Sequence, residues 1–258
     1  MPAPLNTFKQ ALLGGETLIG CWMSMAESYT TEILGGAGFD WLLIDGEHAP
    51  NDIRSIRDQM VALKGSASHP VVRVPIGETW LIKQVLDVGA QTVLVPMVET
   101  ADQARELVRA CRYPPGGTRG VGYSVGRASD FGQMPNYGPT ADEQICLLVQ
   151  VENKAGLDNL DAILAVDGVD GVFIGPADLS ASLGYLGQSM HPEMQATITG
   201  ALKQISDSGK AAGILTPDDG MIQASLDAGA RFVAVAMDIA LLLNSAKAVS
   251  AKWKDKIS

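Results

Sequence analysis

Two acidic residues carry the first chemical signal, Glu152 in LLVQVEN and Asp178 in GPADLS. Each stands at or just past an apolar run, 145–151 and 171–174, that reads as a strand buried on both faces. If those strands are neighbours in a parallel sheet, the two carboxylates face one small volume. Carboxylates that close repel, and one is driven toward its protonated form unless a cation neutralises them. A hard divalent ion with oxygen ligands, Mg²⁺ or Mn²⁺, suits such a pair, since no Cys or His pair stands ready for zinc. The alternative is structural, with Glu152 and Asp178 each capping the short helix that follows.

A second cluster ends the stretch FDWLLIDGEHAP at 39–50, where an apolar run stops abruptly at Asp45, Gly46, Glu47 and His48. Asp45 and His48 are close enough along the loop for the carboxylate to orient the imidazole and raise its basicity, a general acid/base dyad. The bland reading makes Asp-Gly an ordinary turn and His48 a surface histidine. Arg73 lies inside VVRVP, and an arginine in a buried strand must find an anion. Its planar fork suits a carboxylate or an enolate oxygen. The competing reading is a structural ion pair with Glu47. His69 and His191, each before a proline, read as surface residues.

These residues need a scaffold that gathers strand ends. Strand patterns at 18–23, 39–44, 71–74, 92–95, 145–151, 171–174, 211–215 and 232–236 alternate with helical patterns at 29–35, 52–63, 79–88, 101–111, 157–164, 192–208, 220–227 and 239–253. Crossovers of that length force parallel pairing. Eight such units in 258 residues predict one closed (β/α)8 TIM barrel over 1–258, with its chemistry at the carboxyl ends of the strands. GGAGFD, DVGAQT, VDGVDG and DAGARF each end a helix on glycine and start a strand, and this repetition supports the barrel. The longest irregular stretch, 113–142, is rich in glycine, and loops of that length are usually functional. Its GGTRGVG neither follows a strand nor ends in Lys-Ser/Thr, unlike a P-loop. Arg119 and Arg127 are read either as a positive edge facing a substrate carboxylate or as solvated surface.

Composition sets outer limits. Hydrophobic residues make up 47% of the chain and charged residues 19%, which is globular with ample core. The net charge of −10, without a basic run, argues against nucleic acid as a partner. The start MPAPLNTFKQALLGG lacks a signal-peptide pattern, and no apolar run approaches the roughly 18 residues of a membrane span. Cys21, Cys111 and Cys146 are odd in number and form no CxxC pair, as expected of reduced thiols in the cytoplasm.

The strings FDWLLIDGEHAP, PVVRVP, YPPGGTRGVG, LLVQVEN and DGVFIGPADLSASLGY resemble, in order and almost end to end, the metal-dependent class II pyruvate aldolases of the 4-hydroxy-2-oxoheptanedioate and 2-dehydro-3-deoxyglucarate type. The resemblance implies a barrel of the phosphoenolpyruvate/pyruvate-binding superfamily whose last helix is exchanged between subunits, in a hexamer built as a trimer of dimers. It implies Glu152 and Asp178 as ligands of Mg²⁺, Mn²⁺ or Co²⁺, with Arg73 on the keto and enolate oxygen and His48–Asp45 as the acid/base dyad. Trp22, Gln150 and the amides of Gly175 and Ala177 would shape the pyruvate pocket. Pro176 and Leu215 at the strand ends, and Arg127, complete the candidate pocket. Asp87 would reach a neighbouring subunit's site. The departures, Tyr123 to Gly126 and Thr216-Pro217, lie where the aldehyde would be met.

The implied reaction cleaves a 4-hydroxy-2-oxo acid to pyruvate or hydroxypyruvate plus an aldehyde, and runs in reverse. A Schiff-base route would need a lysine at the mouth. Lys154 lies near it, whereas Lys210 precedes its strand. Lyases and mutases acting on CoA esters or phosphonates form the other superfamily alternative, and they would want basic residues for phosphate.

Overall fold

The computed structural model describes residues 1–257. Eight parallel strands pair each with the next, and β8 closes on β1. They are β1 Leu18–Met23, β2 Trp41–Asp45, β3 His69–Arg73, β4 Thr92–Val95, β5 Cys146–Val151, β6 Gly171–Ile174, β7 Ala211–Leu215 and β8 Ala230–Met237. The predicted TIM-type barrel is therefore the observed one. Among the described residues, no helix is long and apolar enough to cross a membrane.

After α1 Thr7–Leu13, the helices are α2 Ser28–Gly35, α3 Ile53–Ala62, α4 Thr79–Asp87, α5 Ala101–Cys111, α6 Tyr137–Ala141, α7 Lys154–Asp158, α8 Leu160–Leu164, α9 Pro176–Ser182, α10 Pro192–Asp207, α11 Asp219–Asp227 and α12 Asp238–Lys254. The helix expected over 157–164 is two short ones meeting at Asn159, and the irregular stretch holds α6. Two cores result. Aliphatic side chains fill the shell between strands and helices, while Trp22, Trp41, Leu43, Val71, Phe173 and Phe232 fill the barrel itself. Each such buried side chain contributes about 1.5–3 kcal/mol.

The barrel floor overturns one reading. His69 is no surface residue: it stacks on Phe8 of α1 at 5.3 Å, and its Nε2 sits 2.8 Å from the Thr92 hydroxyl. Asn6 Nδ2 also donates to that hydroxyl at 3.1 Å, which keeps its own proton available for a neutral imidazole. Burial pushes the His69 pKa down to about 4. Its unfolded value is near 6.5, so folding favours the neutral ring. That contribution is complete above pH 6.5 and is lost as pH falls toward 4. The loss is expected to reach about 2 kcal/mol. Denaturant midpoints at pH 7.5 and 4.5 check it: His69→Gln, which still accepts from Thr92, should fall less between the two than the parent does.

Candidate active site

At the β2–β3 corner of the barrel mouth the side chains are tied together by hydrogen bonds and ion pairs. Asp45 ends β2 and Arg73 ends β3, and the two are register partners across the sheet. Arg73 Nε and Nη2 donate to Asp45 Oδ1 and Oδ2 at 2.9 and 2.7 Å, a bidentate pair. The third edge of the guanidinium, Nη1, lies 2.6 Å from Glu47 Oε2, as the ion-pair reading of Glu47 expected. The Trp22 ring covers one face at 4.8 Å, and Trp22 Nε1 donates to Asp45 Oδ2 at 3.1 Å. Burial alone would raise the Asp45 pKa. The hydrogen bonds and charge of Arg73, with the Glu47 amide and Trp22, outweigh it and hold the group below the usual carboxylate range.

The expected contact of Asp45 with the His48 ring does not form. Asp45 Oδ1 instead accepts the backbone amides of Glu47 and His48 at 2.9 and 3.3 Å, so the loop wraps over the carboxylate and turns the ring away. A buried guanidinium then takes the remaining acceptor capacity. His48 Nε2 faces Glu47 Oε2 at 3.9 Å, and its side chain is 67% exposed at the cavity.

Across the mouth, Glu152 follows β5 and Asp178 lies in the first turn of α9. The capping alternative fails for both, because Asn153 caps α7 and Gly175 occupies the cap position of α9. Glu152 is 2% exposed. Its Oε1 accepts the Met97 amide at 2.9 Å, and its Oε2 accepts from Gln150 Nε2. Met97 has a φ of 56°, and that left-handed turn at the end of β4 aims its N–H at the carboxylate. Burial pushes the Glu152 pKa up to about 6; the Met97 and Gln150 bonds oppose this, while Glu47 and Asp178 add repulsion. Asp178 is exposed to the cavity.

The corner and Asp178 open on one cavity of about 480 Å³, and Glu152 lies behind its wall, bonded to the lining Gln150. Trp22, Gln150, Gly175, Pro176, Ala177 and Leu215 all line it, together with Asp45, His48, Arg73 and Asp178. Thr216 and Pro217 also line it, as expected. The Gly175 amide, expected to face substrate, is instead bonded to the Val151 carbonyl at 3.2 Å. An apolar arm formed by Met190, Ile198, Met221 and Met237 was not anticipated. Met190, Ile198 and Met221 lie in loops or helices away from strand ends, so sequence position gave no signal for them.

Two residues expected at the mouth, Arg119 and Arg127, lie elsewhere. The 113–142 segment joins α5 to β5, so it covers the amino-terminal end of the barrel, opposite the mouth. Arg127 there donates to the carbonyls of Val88 and Met60 at 2.9 and 3.4 Å, tying the loop to α3 and α4. Arg119 is fully buried and pairs with Asp87 at 2.8 Å rather than forming a positive edge. Gly122 and Gly126 pack against Asp87, so the 123–126 turn does not meet this chain's own cavity. Lys154 pairs with Asp158 on the outside of α7, and Lys210 donates to the Val166 and Val169 carbonyls. Neither lysine lines the cavity.

The model of the HpcH/HpaI aldolase/citrate lyase family matches residues 18–245. The chain belongs to this family. It is 82% identical, over 254 residues, to a hydroxypyruvate/pyruvate aldolase of Roseobacter denitrificans, covering 98% of this chain and 99% of that one. It is 52% identical over 248 residues to a 4-hydroxy-2-oxo-heptane-1,7-dioate aldolase of Escherichia coli, covering 96% and 95%. A crystal structure of a family member from Burkholderia cenocepacia superposes with a TM-score of 0.93 at 41% identity, covering 96% of this chain and 99% of that one. Membership at these identities makes the barrel an aldolase, a carbon–carbon lyase, as the motifs implied.

Proposed function

We propose that this aldolase cleaves 4-hydroxy-2-oxo acids to pyruvate or hydroxypyruvate plus an aldehyde, and catalyses the reverse addition, with a divalent cation at Glu152 and Asp178. The observation that carries this reading is the charge balance of the mouth. Arg73 is shared by Asp45 and Glu47, while Glu152 is buried with Glu47 and Asp178 as its charged neighbours, both of them acidic. The donor set is oxygen alone, which fits Mg²⁺, Mn²⁺ or Co²⁺. Among the described residues no three His, Cys, Asp or Glu side chains converge, so substrate and water oxygens would fill the remaining positions. The cation would polarise the keto oxygen as a Lewis acid.

The chain's own groups divide the rest of the chemistry. Arg73, held rigid by Asp45, Glu47 and Trp22, donates to the oxygen that gains charge as the C3–C4 bond breaks. His48, exposed at the cavity, takes the C4 hydroxyl proton in cleavage and returns it in synthesis. Gln150 holds Glu152 in place, and the apolar arm accommodates the aldehyde portion. Phosphate- or CoA-bearing substrates fit less well, since Arg73 is the one Arg or Lys among the described cavity residues and two carboxylates already hold it.

Incubation with EDTA is expected to abolish pyruvate release from 4-hydroxy-2-oxo acids, and Mg²⁺ or Mn²⁺ should restore it. Borohydride trapping of a pyruvate adduct would sink the metal reading in favour of a Schiff base. We also infer a hexamer with α12 exchanged between subunits. Leu242, Val249 and Trp253 on α12 are exposed, at 59, 60 and 57%, and Asp87, paired with Arg119 at the far end of its own barrel, lies where another copy's mouth would have to meet it. Sedimentation giving a monomer would remove that inference. Cys21, Cys111 and Cys146 are all buried and unpaired, which suits the cytoplasm.

A further inference from the structure

Glu47 is a carboxylate of the mouth to which neither metal nor acid/base chemistry gives a role. Its backbone is pinned to both strands. The Gly46 amide donates to the Arg73 carbonyl at 2.8 Å, and a Cβ on Gly46 would lie 2.5 Å from that oxygen, so only glycine allows the approach. The Glu47 amide is held by Asp45 Oδ1. The side chain therefore arrives at a set place, with one oxygen, Oε2, 2.6 Å from Arg73 Nη1 and 3.9 Å from His48 Nε2.

We propose that Glu47, not Asp45, is the positioning residue that couples the arginine to the histidine. Asp45 alone balances the charge of Arg73, so Glu47 is a surplus anion shared between guanidinium and imidazole. While His48 is neutral, Glu47 acts as the second clamp on Arg73 and fixes the direction of its free N–H groups. Once His48 has taken the substrate's hydroxyl proton, the new positive charge faces Glu47 and is stabilised by it. The charged groups facing this pair are Arg73, Asp45, Asp178 and Glu152. Burial raises the Glu47 pKa, Arg73 and His48 pull it back, and Asp45 and Asp178 add to the rise. That balance is the one expected of an anion that depends on its two cationic neighbours. The inference rests on the aldolase reading, in which Arg73 and His48 touch substrate.

The test uses the metal-loaded enzyme in three variants, Glu47→Gln, Asp45→Asn and His48→Asn, read as pH profiles of kcat/KM for pyruvate release. Removing an anion beside an imidazole makes it a weaker base. Glu47→Gln is therefore expected to lose roughly tenfold in kcat, with KM for the keto acid little changed. Its acid limb should move to lower pH by about half a pH unit or more. Asp45→Asn should lose rate through Arg73 and leave the limb in place. A Glu47→Gln profile that superimposes on the parent's, while His48→Asn is inactive, overturns the proposal; so does a limb that moves in Asp45→Asn alone. Normal turnover by His48→Asn would instead overturn the underlying proton-transfer reading. Should Glu47→Gln not fold, Glu47→Asp replaces it: with the charge kept and the reach shortened, the limb should stay while kcat falls. A moved limb there counts against the proposal.

Discussion

Replacing Arg73 with alanine is expected to lower kcat for retro-aldol cleavage by about a thousandfold or more. Loss of one preorganised donor to a developing oxyanion already costs 10²–10³, and Arg73 brings a full charge with it. The fold should suffer as well. The guanidinium is 6% exposed, and its partners Asp45 and Glu47 are 2% and 16% exposed. Removing it leaves a buried, hydrogen-bonded carboxylate without its cation, which costs about 3–5 kcal/mol where one partner of a buried pair is deleted. Activity loss in Arg73→Ala would then mix chemistry with instability. Arg73→Lys separates them. Lysine keeps the charge but offers a point donor in place of the fork, so stability should recover by more than half while kcat stays at least about a hundredfold low. Chemical denaturation beside steady-state kinetics on both variants checks this. Near-normal turnover in either would remove the arginine from the mechanism.

The same corner explains what could and could not be read from residue order. The apolar runs, their lengths and the glycine-marked returns make a parallel barrel legible, because eight strands buried on both faces leave few other arrangements. The placement of Glu152, Asp178 and Arg73 at the strand ends was legible for the same reason, since strand ends converge in a barrel. The partner of Asp45 was not. His48 is three residues away along the chain and Arg73 is 28, yet Asp45 and Arg73 end adjacent strands in register. Reading β2 as ending at Ile44 hid that pairing. The 113–142 loop failed for a topological reason. Its glycines look like a ligand cradle, but a segment between a helix and the next strand lies at the floor, and composition carries no record of which end it covers. His69 shows the limit for single residues, since a His-Pro dipeptide looks exposed until α1 is seen folded beneath the barrel.

Gly175→Ala is expected to disable the proposed metal site with little effect on the backbone. Gly175 has φ −91° and ψ 97°, which any residue adopts, so alanine brings no conformational strain. The conflict is steric and local. A Cβ there would lie 2.6 Å from Glu152 Oε2, 2.8 Å from Glu152 Cβ and 3.0 Å from Gln150 Nε2. Glu152 cannot swing away freely, because Met97 holds its other oxygen and the residue is 2% exposed. The methyl group must therefore displace the carboxylate, its Gln150 bond, or both. Overpacking of this kind costs about 1–3 kcal/mol. The larger effect should be on cation binding, where disturbing a partner that orients a ligand costs about 10–100-fold. Calorimetric titration of metal-free protein with Mn²⁺ reads that directly, independent of turnover. Gly184→Ala serves as a control for an added methyl group, since Gly184 has nothing within 4 Å of its Cβ position, although its φ of +90° adds strain of its own. If Gly175→Ala binds Mn²⁺ as the parent does, Glu152 is not where the cation sits. If it binds weakly and regains turnover at high Mn²⁺, the glycine is there to leave room for a carboxylate that must not move.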